Sequence, residues 1–164
     1  MRMNDCPMTA TPTVQVTEAM IRDQLAALES GLREEIASGR MEEAKLVVEH
    51  TFAPGVYIRK MYIPAGSLIV GKIHRHSHFN FISKGSVIVY TKDGREELTA
   101  PWDGVSTEGT KRSVYALTDV IWSTIHSNPT NTQNLEEIEA FTIAPSYEAL
   151  SAPIENAQIE EVTL

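Results

Sequence analysis

The apolar positions change their period once along the chain, at about residue 45. Before that point, five apolar residues recur three or four positions apart, which is the spacing of one helix face. They are Ile21, Leu25, Leu28, Leu32 and Ile36. Thr17 can cap this helix and Gly39 can end it. The stripe predicts one N-terminal amphipathic helix over residues 17–40, packed on its own domain. A short coiled-coil seam between subunits is the alternative, although Gly31 weakens it.

Beyond residue 45, apolar residues fall into short runs separated by turns that contain Gly or Pro. Strands are predicted at 46–52, 56–63, 67–73, 86–91, 97–100, 104–106, 112–116 and 120–126. Lys92-Asp93-Gly94 is a hairpin signal. The pattern predicts an all-β jelly roll or barrel over residues 45–142, with a mildly helical segment at 134–141. Residues 1–16 read as a flexible arm, and residues 143–164 as an acidic C-terminal tail.

Three of the five histidines lie in the run 71–85, which connects two predicted strands and itself reads as a strand. His74, His76 and His78 are spaced by two residues, and Asn80 continues the spacing. Side chains alternate between the two faces of a strand, so all four are predicted to share one face. Polar groups on a buried face need partners. A metal, a polar ligand, a neighbouring subunit or water must therefore satisfy them.

The net charge of the chain argues against some classes of function. The 164-residue chain carries a formal net charge of −8, which argues against general binding to nucleic acid or to a membrane surface. The charge is uneven, because residues 58–112 hold nine Lys or Arg against five Asp or Glu. The histidine run therefore lies in a basic island of an acidic protein.

Cys6 is the only cysteine, which excludes an intrachain disulfide and a cysteine-based zinc site. No run reaches the roughly 18 apolar residues of a membrane span, and residues 1–12 lack the apolar core of a secretion signal. We therefore expect a soluble, intracellular-type protein.

Several segments resemble the cupin superfamily. They are Pro64-Ala65-Gly66, the histidine run that ends in Ser83-Lys84-Gly85, and the Asp93-Gly94 hairpin. Residues 71–85, 109–116 and 122–126 further resemble a poorly characterised group of cupin-like proteins encoded by bacteriophages. The resemblance covers about residues 50–142. It implies a double-stranded β-helix that assembles as a homodimer or a higher oligomer.

The departures from the cupin pattern concern the metal ligands. A metal-binding cupin supplies two histidines and a glutamate from its first motif and a histidine from its second. Counted back from Gly85, the glutamate position falls on His78, the second histidine position on His74 and the first on Lys72. Arg112 stands where the last histidine would be, and a guanidinium does not coordinate metals. The resemblance therefore does not carry over a standard iron or manganese site.

Two ligand chemistries remain open. His74 and His78, or all three histidines of the run, can hold zinc, nickel or iron, since neutral imidazole suits these metals. His126 from a neighbouring strand is a further candidate ligand. Alternatively, Arg112 and Lys111 can bind a small anion beside the histidines, with an aromatic side chain as a stacking face. No catalytic residue is predicted. The predicted ligand-binding residues are His74, His76, His78, Asn80, Lys111, Arg112, Tyr115, Trp122 and His126.

Three functions follow from these observations. The first is a non-catalytic phage-encoded protein of the host cytoplasm that binds a small anionic, nucleotide-type ligand in the barrel. The second is a virion-associated structural or assembly protein that docks onto other phage structural proteins. The third is a metal-dependent cupin enzyme that uses the histidine-rich strand.

Overall fold

The structure is a computed structural model and describes residues 17–150. The predicted arm, residues 1–16, and most of the predicted acidic tail lie outside this range. The helices are α1 (Glu18–Ala37), α2 (Leu135–Thr142) and α3 (Tyr147–Leu150). The strands are β1 (Val47–Ala53), β2 (Gly55–Ile63), β3 (Leu68–Val70), β4 (Ile73–His74), β5 (His78–Lys84), β6 (Ser86–Thr91), β7 (Gly94–Thr99), β8 (Trp102–Ser106), β9 (Ser113–Ala116), β10 (Val120–Asn128) and β11 (Ile143–Ala144).

The predicted N-terminal helix is present. The Thr17 side chain accepts a hydrogen bond from the backbone N–H of Met20, which satisfies one free donor of the first turn. Of the apolar stripe, Ile21 and Leu25 are buried. The other three stripe residues, Leu28, Leu32 and Ile36, are half-buried. The helix thus packs on its own domain mainly through its first half.

The strands form two main sheets. One has the order β1-β2-β10-β5-β8, and the other has the order β3-β9-β6-β7. The apolar core lies between them, with Ile82 and Trp122 from the first sheet against Val87 and Ala116 from the second. This confirms a mostly β fold with an N-terminal helix. It differs from the predicted barrel in one respect, because the described strands pair into separate sheets and do not close into one continuous ladder.

Local turn chemistry fixes two connections of the fold. The hairpin between β6 and β7 turns at Lys92 and Asp93, since Thr91 pairs with Gly94. This is the two-residue turn that the sequence indicates. Between β5 and β6, Gly85 has φ of 86°, and a Cβ there would lie 2.2 Å from the carbonyl oxygen of Asp119. Only glycine can make this turn at the end of the histidine run.

The histidine run is not one continuous strand. β4 ends at His74, a bend follows over residues 75–77, and β5 begins at His78. β11 pairs with β4 so that Ile143 lies opposite His74. Arg75 anchors the bend by donating from its backbone N–H to the carbonyl of Thr142 at 2.8 Å and from Nε to that of Ile143 at 3.0 Å. Residues 143–150, placed in the tail by the sequence analysis, therefore contain β11 and α3 and hold the histidine run in place.

Within residues 17–150, no helix has both the length and the hydropathy that crossing a bilayer requires.

Candidate functional site

A cavity of about 430 Å³ lies between the two sheets, a size typical of small-molecule sites. The inward faces of β1, β2 and β10 form one wall, β3 and the start of β9 form the opposite wall, and α2 lies across one side. Its polar lining comprises His50, Tyr57, Arg59, Lys72, His74, Asn80, Arg112, Thr124, His126, Glu139 and Thr142. Aliphatic side chains line much of the remainder, so the cavity suits a ligand that is part polar and part apolar.

Three histidines from three strands converge beside this cavity. His74 ends β4, His78 begins β5 and His126 lies on β10. One ring nitrogen of each lies within 4.8 Å of the other two. The ring centroids of His74 and His78 are 4.1 Å apart, and those of His78 and His126 are 4.6 Å apart. We call these three residues the histidine cluster.

Arg112 lies against the histidine cluster. Its Nη2 donates to Nε2 of His78 at 3.3 Å, and its guanidinium carbon lies 5.3 Å from the centre of the Trp122 ring. His78 Nδ1 lies 3.3 Å from the carbonyl oxygen of His76. A carbonyl can only accept, so Nδ1 carries the proton and Nε2 is free to accept from Arg112. The chain thus fixes both the ring orientation and the tautomer of His78.

Burial lowers the pKa of Arg112 to about 10, so the guanidinium remains charged at neutral pH. None of the ion pairs within residues 17–150 includes Arg112. Its hydrogen bond to His78 uses one of five N–H donors. A desolvated cation with free donors therefore faces the cavity.

The cluster histidines are neutral at physiological pH. Burial is the largest cause of their lowered pKa values, which fall to about 2 for His74, about 4 for His78 and about 3 for His126. The positive charge of Arg112 lowers all three further. Neutral imidazoles can accept and donate hydrogen bonds to a ligand, and they can coordinate a metal.

Asn80 links two other buried side chains of the site by hydrogen bonds. Its Oδ1 accepts from Nε1 of Trp122 at 3.1 Å, and its Nδ2 donates to Oγ of Ser106 at 2.9 Å. All three residues are buried. These bonds satisfy polar groups that would otherwise be costly to bury, and they fix the Trp122 ring that lies under Arg112.

A second polar row, which the sequence pattern did not predict, crosses the inner face of the five-stranded sheet. Strand pairing places His50 opposite Arg59, and Arg59 opposite Thr124. In the neighbouring row, Tyr57 lies opposite His126, and its hydroxyl lies 2.8 Å from Nδ1 of His50. The alternation of β2 could have marked Tyr57 and Arg59 as sharing a face. Only strand pairing shows that this face is the one that carries His126.

Four predicted site residues are absent from the cavity lining, and three of them, His76, Lys111 and Tyr115, also lie away from the histidine cluster. The bend at 75–77 turns His76 away from His74 and His78, and its ring packs on Phe141 with centroids 4.6 Å apart. Lys111 forms an ion pair with Glu29 of α1. Tyr115 is exposed on β9, where strand alternation directs it to the opposite face from the buried Val114. The cavity instead contains His74, Asn80, Arg112, Trp122 and His126 from the predicted set, with His78 adjoining Arg112.

The histidine cluster fits a divalent transition metal in donor type and number. Three imidazole nitrogens are a common set for zinc, nickel or iron with an open position. Nδ1 of His74 is also buried without a hydrogen-bond partner, as an unused ligand atom would be. The structure brings His126 together with His74 and His78, and it turns His76 away towards Phe141. A metal would compete with Arg112 for the lone pair on Nε2 of His78.

No family model matches the sequence, and no curated protein matches it. Solved structures do resemble it. A cupin superfamily protein from Desulfitobacterium hafniense is 10% identical, with a TM-score of 0.46 over 53% of this chain and 81% of its own. An RmlC-like cupin from Shewanella frigidimarina is 17% identical, with a TM-score of 0.47 over 58% and 85% of the two chains. Ectoine synthase from P. lautus is 12% identical, with a TM-score of 0.49 over 60% and 75%. Two of these three structures are named as cupins.

Proposed function

We propose that this protein binds a small anionic molecule, one that bears a carboxylate or phosphate group, in the cavity between its two sheets. The observation that carries this proposal is Arg112. Its guanidinium is charged, desolvated and without a carboxylate partner among the described residues, and it faces a cavity of small-molecule size. Burying an unpaired charge is unfavourable, so a site that retains one is suited to a ligand of opposite charge.

The surrounding side chains suit this role. A planar carboxylate or phosphate edge can accept two parallel hydrogen bonds from a guanidinium, and few other side chains offer that geometry. The guanidinium of Arg112 lies over the Trp122 ring in a cation–π contact. Neutral His74 and His126 can exchange hydrogen bonds with the ligand without adding charge. Aliphatic residues such as Met61, Ile69 and Val114 offer an apolar wall to the rest of the molecule.

The proposal also covers the role of the protein, its origin, its location and the type of its ligand, as the sequence predicts them. We retain a non-catalytic role, an origin in bacteriophages, a location in the host cytoplasm and a ligand of nucleotide type. The support for origin and location is the sequence resemblance of residues 71–85, 109–116 and 122–126. The support for a nucleotide-type ligand is the guanidinium of Arg112, which can bind a phosphate group.

Native mass spectrometry and phosphate titration of the untagged protein test the proposal. Wild-type protein is expected to retain an anionic molecule or to be stabilised by added inorganic phosphate, since a ligand that binds only the folded state raises its stability. Arg112→Met should abolish both effects. Lys111→Met is the matched control, because the adjacent Lys111 forms an ion pair with Glu29 outside the cavity. Equal phosphate responses in wild type and Arg112→Met would contradict the proposal.

A metal-dependent enzyme is the second candidate, favoured by the 4.8 Å convergence of the three cluster nitrogens. His74, His78 and His126 would hold the ion, which would act as a Lewis acid when bound. Arg112 would then orient an anionic substrate beside it. Metal analysis on the same mass-spectrometry sample separates the two candidates. About one transition metal per chain, lost in His74→Asn, would favour the enzyme.

A further inference from the structure

The cavity contains a second arginine that no predicted role accounts for. Arg59 lies on the inward face of β2, between His50 on β1 and Thr124 on β10. Its side chain lines the same cavity as Arg112. None of the ion pairs within residues 17–150 includes Arg59, and no hydrogen bond from its guanidinium is found there either. Two arginines without acidic partners therefore share one cavity of about 430 Å³.

The two guanidiniums approach the cavity from opposite walls. Arg59 comes from the five-stranded sheet, and Arg112 immediately precedes β9 of the four-stranded sheet. Facing sheets lie about 10 Å apart, so a small molecule can span the space between them. The histidine cluster lies within reach of both charges. After burial and the neighbouring His78, the charges of Arg59 and Arg112 each lower the pKa of His126, and both also lower that of His74.

Charge balance then bears on the ligand. The described polar lining of the cavity contains three formal cations, Arg59, Lys72 and Arg112, and one carboxylate, Glu139. Lys72 and Glu139 pair with each other at one side of the cavity. This leaves two positive charges that no lining carboxylate balances. A ligand with a single negative charge would neutralise only one of them.

We propose that the ligand is a dianion with two separate acidic groups, such as two carboxylates or a carboxylate and a phosphate, joined by a short apolar spacer. One acidic group binds Arg112 beside the histidine cluster, and the other binds Arg59 across the cavity. The inference rests on the proposed anion site, since it concerns the same cavity, and it favours this dianion over a ligand of nucleotide type. It adds the number and spacing of the acidic groups, and it assigns Arg59 as the residue that sets this specificity.

The test is calorimetric titration with straight-chain dicarboxylates of three to six carbons and with the monocarboxylates of equal length. Wild-type protein should bind at least one dicarboxylate about 10-fold or more tightly than the monocarboxylate of the same length, because the second acidic group gains its own charge-assisted pair. Arg59→Met should remove this preference and keep monocarboxylate binding. Lys60→Met is the matched control, since Lys60 lies next to Arg59 on the outward face of β2.

The outcomes separate the two proposals. If dicarboxylates and monocarboxylates bind equally well, and Arg59→Met has no effect while Arg112→Met abolishes binding, the dianion inference is overturned and the anion site stands. If neither class of acid binds wild-type protein, or if Arg112→Met binds both as wild type does, the proposed function fails as well. A preference that survives in Arg59→Met would assign the second acidic group to another residue and would overturn the role of Arg59.

Discussion

Nη2 of Arg112 donates a hydrogen bond to Nε2 of His78 across 3.3 Å. The sequence resemblance places Arg112 at the position where a metal-binding cupin has its last histidine ligand. The structure places its guanidinium on the lone pair that His78 would offer to a metal. This contact affects the binding of both an anion and a metal. An anion would bind the remaining donors of Arg112, whereas a metal on His78 would displace Arg112 from that residue.

Removing the charge of Arg112 should stabilise the free protein. Burial lowers the pKa of Arg112 to about 10, which corresponds to roughly 3 kcal/mol of unfavourable burial, since one pKa unit is about 1.4 kcal/mol. We expect Arg112→Met, which keeps much of the side-chain volume, to raise the free energy of unfolding by about 1–3 kcal/mol. Urea unfolding without added anions measures this. A loss of stability equal to that of a large core truncation would show that Arg112 has a structural partner.

Zinc affinity should depend on both the histidine cluster and Arg112. We expect His74→Asn and His126→Asn each to weaken zinc binding, because each removes one nitrogen of the 4.8 Å cluster. Arg112→Met should strengthen it about 10-fold or more, because it frees Nε2 of His78 and removes a nearby positive charge. Calorimetric titration with zinc is the measurement, and His76→Asn, outside the cluster, is the control. Weaker zinc binding in Arg112→Met would mean that Arg112 supports the metal site.

Acid should destabilise the protein from about pH 6.5 downward. The cluster histidines have an ordinary pKa of 6.5 when unfolded and pKa values of about 2 to 4 when folded. Between these pKa values the unfolded state binds more protons than the folded state. The stability that the neutral rings contribute is therefore fully present above pH 6.5 and decreases as the pH falls below it. Each histidine contributes up to about 1.4 kcal/mol per pH unit.

Chemical denaturation between pH 7.5 and 5 measures this dependence. His126→Asn should reduce its slope, and His76→Asn controls for the loss of a histidine ring outside the cluster. Stability that does not change between pH 7 and 5 would show that the rings are solvated in the folded state.

The outer face of the five-stranded sheet is expected to mediate self-association. Strand pairing aligns Ile58, Ile125, Phe79 and Val105 in one row across β2, β10, β5 and β8. Phe79 and Val105 are 59% and 58% exposed, which is high for apolar side chains in neighbouring positions. The next row contains Lys60 and Asp103. Two copies could pack these outer faces together about a two-fold axis that runs parallel to the strands, between β10 and β5. In that arrangement Phe79 of one copy lies over Ile125 of the other, and Lys60 lies over Asp103.

Analytical ultracentrifugation tests this homodimer. Phe79→Asp should shift the protein towards monomer at micromolar concentration. Tyr115→Asp should not, because Tyr115 is a comparably exposed aromatic residue on the other sheet. A wild-type monomer, or a Phe79→Asp variant that remains dimeric, would contradict the prediction.

Much of the fold could be predicted from short stretches of the sequence. The helix cap at Thr17, the hairpin at Lys92 and Asp93 and most strand positions follow from spacing and turn chemistry within a few residues. The break between β4 and β5 and the strand β11 do not. The site could be read only in part. Arg112, Trp122 and His126 were identified from a motif and from composition, whereas Arg59 and Tyr57 were missed, because their relevance depends on which strands become neighbours.

The sequence by itself determined that this protein has short strands, one capped helix and a concentration of histidine and basic residues in its middle. The tertiary structure alone decided which of these residues meet. Strict alternation predicted His76 beside His74 and His78, but β11 pairs with β4 and Arg75 anchors the bend, so His76 turns towards Phe141. His126, almost fifty residues later in the chain, takes its place in the cluster. The physical reason is that strand periodicity is a local property, while convergence on a cavity depends on pairing between distant segments.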